Sequence, residues 1–206
     1  MPGHSGRTTN VQQRLYRRFN AFDYPAARIA TFATTGALST TQDLIGRVLE
    51  SIDMADPELV AEETLCLVAM ATARAAEVGL REQAELAQAV VPALQALPFT
   101  YRDYLLGGML LSAEDRTLLE ATGQEVYGRL QRKQAFYEAH LPAGQFPGER
   151  MLTEKMALWM GRISPPGLPE LPQERMKRLA LVPVLHTHLR LVLQFCRQAV
   201  ATLQEG

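Results

Sequence analysis

The sequence predicts an all-α protein, an irregular bundle of seven to nine helices with proline-kinked segments. Three observations point there. Apolar residues recur at spacings of three and four along most of the chain. No stretch shows a convincing period-two alternation, and β-branched clusters are rare. Helix start and stop residues bound the periodic stretches.

The elements follow in order. Residues 1–8 read as a disordered tail without the apolar core of a signal peptide, and residues 9–206 as one all-helical domain. A first helix is expected from Thr9, with Val11, Leu15, Phe19 and Phe22 at helical spacing. Pro25 interrupts it, and Asp23 caps the next piece, which carries Ile29 and Phe32 to Gly36. Ser39 or Thr41 then opens a helix in which Leu44, Ile45, Val48, Leu49 and Ile52 form one stripe. Asp56, Pro57 and Glu58 make a clean start signal. The carboxylate accepts from free first-turn amides, the proline needs no amide there, and the glutamate suits the positive end of the dipole. That helix should run to Gly79. The next covers 81–97, bent at Pro92 and stopped at Pro98. Thr100 is expected to cap a short apolar helix to Leu111. Residues 112–115, Ser112 to Asp115, resemble a capping box and open the longest helix, to about Leu141. Two proline-rich loops, 142–149 and 164–172, flank a helix bearing Met151, Met156, Trp159 and Met160. A further helix runs from about Gln173 to Leu203, kinked at Pro183.

A chain of 206 residues fits one domain, and folding at this size buries roughly 70% of the unfolded surface. A hydrophobic content of 47% excludes wholesale disorder. Cys66 and Cys196 lie far apart in apolar helical runs, which suggests buried inert thiols, a reducing compartment and cytoplasmic residence. The richest apolar window, 59–76, is broken by Glu62, Glu63 and Arg74, so no membrane span is expected.

The formal net charge of −1 hides a segregation. Residues 1–49 carry +4, residues 50–125 carry −10, and residues 126–206 carry +5. An acidic middle between basic ends can steer association. Three basic clusters are candidate nucleic-acid contacts: Arg14, Arg17 and Arg18 beside Tyr16 and Phe19; Arg129, Arg132 and Lys133; and Arg175, Lys177 and Arg178. The sequence pI of about 6.4 is far from the basic footprint usual for such proteins. Helix–turn–helix windows around Gly36 and Gly108 lack the apolar residue that packs a recognition helix.

Catalytic motifs are absent from the sequence: no nucleophile elbow, no cysteine pair at two-residue spacing, and no phosphate cradle, Gly107 and Gly108 reading as helix packing. His186 and His188 point about 200° apart on a helix, and Glu62 and Glu63 face different sides, so no metal or other cofactor is expected. Met156, Trp159 and Met160 are the candidate lining of an adaptable ligand pocket. The leading expectation is a non-enzymatic interaction or regulatory protein that self-associates through charge-complementary and apolar helix faces. The alternatives are a DNA- or RNA-binding protein using the arginine-rich faces, and a helical small-ligand-binding domain.

Overall fold

A computed structural model of the chain describes residues 25–52, 55–101, 113–168 and 170–204, with side chains from residue 123 onward in the stretch that begins at 113. They form α1 (Pro25–Leu49), α2 (Pro57–Gly79), α3 (Ala84–Gln95), α4 (Ala113–His140), α5 (Glu149–Ile163), α6 (Pro172–Arg178) and α7 (Leu181–Gln204). A short helical stretch over 97–101 follows α3, and no strand occurs among the described residues. The all-α expectation is met. The helix expected from Thr9, the cap at Asp23, most of the helix expected up to Leu111 and the Ser112 cap lie outside the described residues.

Helix α2 is the axis of the fold. Asp56 caps it by accepting from the amides of Glu58 (2.9 Å) and Leu59 (3.3 Å), with Pro57 as the first helical residue. Residues 63–76 are buried without a break. Alanine, leucine, valine and methionine occupy most of this stretch, so it is apolar on most of its circumference, the pattern of a helix that lies inside a protein. Helices α1, α3, α4, α5 and α7 all pack on it. Small side chains at Ala69, Ala71, Ala73, Ala75 and Ala76 let those neighbours come close.

Four sequence expectations are corrected. Helix α1 runs unbroken through Gly36, Ser39 and Thr41. A Cβ on Gly36 would stand 2.8 Å from Cε1 of His188, so this glycine marks a close approach of α7 and not a helix end. The helix expected over 81–97 is shorter, and a turn at Ala96 separates it from the stretch 97–101. Thr100 lies inside that stretch and not at its start, its hydroxyl donating back to the Ala96 carbonyl (3.2 Å). The helix expected from 173 to 203 is two helices, bent by 68° at Leu179 and Ala180. Ala180 has φ of 51°, a left-handed turn that stops α6. Pro183 therefore falls in the first turn of α7, where its missing amide has no partner to lose.

The expected helix through Trp159 is α5, between the two proline-bearing loops, and α4 ends at His140 close to the expected boundary. Among the described residues no single helix is long and apolar enough to cross a membrane.

Candidate functional site

Helical spacing puts Glu58 and Glu62 one above the other on α2, with Glu63 about 100° further round. On α4, Arg129, Lys133 and Tyr137 follow at intervals of four and form one face. The two faces meet. Arg129 grips Glu62 with two donors, Nε at 2.8 Å and Nη2 at 2.6 Å, and also donates to Glu58. Lys133 donates to Glu62 at 2.6 Å and stands 3.8 Å from Glu63. Glu63, 1% exposed, accepts from the Tyr137 hydroxyl (2.6 Å) and from Nε and Nη2 of Arg162 on α5 (2.9 and 2.6 Å). The Arg162 guanidinium also lies 4.3 Å from the centre of the Phe136 ring, within cation–π range.

Three carboxylates thus meet three cations, and the cluster is neutral. Burial works against the ionised form of Glu62, but Arg129 and Lys133 outweigh it and hold its carboxyl below the usual range. Hydrogen bonding to Glu62 holds the Arg129 guanidinium charged, and Glu63 does the same for Arg162. Burial, reinforced by the Glu63 carboxylate, raises the Tyr137 phenol and keeps it a donor. Burial followed by the field of Glu63 pushes the Cys66 thiol up to about 12. Burial alone takes Cys196 to the same value against a small opposing backbone hydrogen bond. Both thiols are free and neutral, poor nucleophiles in such surroundings.

Beside this cluster lies a partly open cavity of about 290 Å³. One face of α1 contributes Leu38, Thr41, Gln42 and Ile45, and one face of α2 contributes Glu58, Ala61, Glu62 and Leu65. Val126 and Leu130 of α4 close a third side, and Pro98 and Tyr101 a fourth. The stretch 97–101 is held over α4 by the rings of Phe99 and Tyr127, 4.7 Å apart. Gln134 of α4 donates to the Gln95 carbonyl at 3.0 Å. Thr41 is 5% exposed, and its hydroxyl meets no hydrogen-bond partner among the described residues.

The sequence-predicted site residues scatter. Arg14, Arg17 and Arg18 lie outside the described residues. Arg129 and Lys133 are in the ion cluster, while Arg132 is exposed. Arg175 is buried and ties down the 164–172 loop, donating to Ser164 Oγ (2.5 Å) and to the Glu170 carbonyl (2.7 Å). Arg178 also bonds Glu170, at 3.1 and 2.9 Å, and Lys177 is exposed. Met156, Trp159 and Met160 are wholly buried core residues, and the cavity lies elsewhere. Sequence reading missed Thr41, whose signal was a hydroxyl within the apolar stripe of α1. Among the described residues no group of three or more His, Cys, Asp or Glu is placed to hold a metal ion.

Comparison with protein-family models, curated proteins and solved structures gives no match.

Proposed function

We propose that this chain is a non-enzymatic regulatory protein that acts by binding, and that a small, mostly apolar molecule occupies the cavity between α1, α2 and α4. The observation that carries this reading is an apolar cavity set beside a charge cluster whose members already satisfy one another. Apolar clefts with a few polar groups are the usual seats of small ligands. A dry cavity of about 150 Å³ holds benzene, so about 290 Å³ suits roughly ten to twelve non-hydrogen atoms. A molecule touching three helices at once would bias their packing, which gives such binding a regulatory output.

Butylbenzene tests it. At tenfold excess over Kd a ligand that binds the folded state adds roughly 1.4 kcal/mol, or about 3–5 °C in Tm. The shift is expected in the wild type and is abolished by Ala61→Phe, which fills the cavity from α2. Ile45→Phe does the same from α1. A shift that survives both variants places the ligand elsewhere and overturns the reading.

A second reading, self-association as an interaction protein, is favoured by leucines left exposed around the α5–α6 connection, Leu158, Leu168 and Leu171. Light scattering at high micromolar concentration should then give a dimer that Leu171→Ser dissociates. A strict monomer rejects it.

A further inference from the structure

We infer that Thr41 is the polar anchor of this cavity, and that the ligand is a neutral molecule carrying one hydroxyl or carbonyl group on an apolar body; this rests on the cavity being a binding site, as proposed above. Two independent observations meet at Thr41. It lines the cavity, and its hydroxyl is buried with no partner among the described residues. Buried polar groups are nearly always hydrogen-bonded, and an orphan costs stability that an apolar side chain of the same shape would not. Threonine in a helix has two favourable χ1 positions. Its hydroxyl can therefore adjust within the cavity wall that Thr41 helps to form. There it can donate to a carbonyl or accept from a hydroxyl.

The charges of the wall select against ions. An anion would face the carboxylates of Glu58 and Glu62. A cation would compete with Arg129 and Lys133 for oxygens those residues already hold. A neutral head group disturbs neither, and the remaining lining is mostly hydrocarbon.

Four probes with the same phenylbutyl body separate the possibilities: butylbenzene, 4-phenylbutan-1-ol, 4-phenylbutanoate and 4-phenylbutylamine. Affinities are measured by calorimetry at pH 7 for the wild type and for Thr41→Val. The expected result is that the wild type binds the alcohol more tightly than the acid or the amine. Thr41→Val should weaken the alcohol about tenfold, leave butylbenzene unchanged, and raise Tm because the orphan hydroxyl is gone. Equal effects of the substitution on alcohol and hydrocarbon overturn the role of Thr41. Tighter binding of the acid or amine overturns the ligand class. In both cases the binding of butylbenzene leaves the cavity reading standing. Binding of none of the four overturns both.

Discussion

His188 shows how much a single residue can carry. Its Nε2 lies 2.9 Å from the Thr72 hydroxyl on α2, and its ring packs where Gly36 lets α1 approach. Burial lowers its pKa from 6.5 to about 4. Unfolded, the imidazole takes up a proton near pH 6.5; folded, it does so near pH 4. Between those values the unfolded chain binds more protons, so stability falls as pH drops through the window, by about 3 kcal/mol in all. Urea unfolding at pH 7 and pH 4.5 should show a steeper loss for the wild type than for His188→Gln. Equal slopes would show that His188 is not the group responsible. The sequence told that His186 and His188 face opposite ways, and they do: His186 lies 3.2 Å from Glu149 near the surface end of α5. It did not tell that His188 sits against a glycine 152 positions away. That contact exists only once α1 and α7 are packed. Thr41 was legible as a helix-start residue and proved to be mid-helix, because side-chain chemistry alone does not separate a capping hydroxyl from a buried one.

At the scale of elements, glycine misled once. Gly36 and Gly79 were both read as helix ends; α2 does end at Gly79, whereas α1 runs on through Gly36. Their structural reason is helix approach. A Cβ on Gly79 would stand 2.6 Å from Cβ of Cys196 and 3.2 Å from the Leu193 carbonyl oxygen on α7. Gly46, on the same helix as Gly36, has nothing within 4 Å of that position among the described residues. Gly79→Ala is therefore expected to destabilise by about 1–3 kcal/mol through overpacking. Gly46→Ala should stabilise by roughly 0.5–1 kcal/mol, since alanine is the better helix former. Denaturant midpoints for the two variants decide; a shift in the same direction for both would remove the distinction drawn between them. Elements whose ends rest on local chemistry were legible: Asp56 and Pro57 start α2 as their chemistry requires. Boundaries set by packing were not. The break at Ala180 has no glycine to announce it, and the proline that drew attention, Pro183, sits harmlessly in the first turn of α7.

Across the whole molecule, the acidic middle and the basic C-terminal part meet within one chain. Glu58, Glu62 and Glu63 belong to the first, and Arg129, Lys133 and Arg162 to the second. The segregation was plain in the sequence, but which faces pair depends on how helices dock, and the charges alone suggested pairing between subunits. Glu63→Gln removes the counter-charge of Arg162, while Lys133 keeps Glu62, and should cost about 1–3 kcal/mol. Arg150→Ala breaks the exposed Arg150–Glu154 pair, 3.7 Å apart, and should change stability by less than about 0.5 kcal/mol. Chemical denaturation of both variants tests the contrast. Near-equal costs would mean that the cluster contributes no more than surface pairs do. The candidate ligand site was less legible than the fold, because its walls come from four stretches that no sequence pattern brings together.

The encasement of α2 also bears on how the chain is made. Thr72 and the histidine that meets it are 116 positions apart. At synthesis rates of about 5–20 residues per second, α2 waits roughly 6–23 s on the ribosome before α7 arrives to cover it. For that interval one of the most apolar helices of the chain stands with a bare flank, a natural substrate for the chaperones that attend nascent polypeptides.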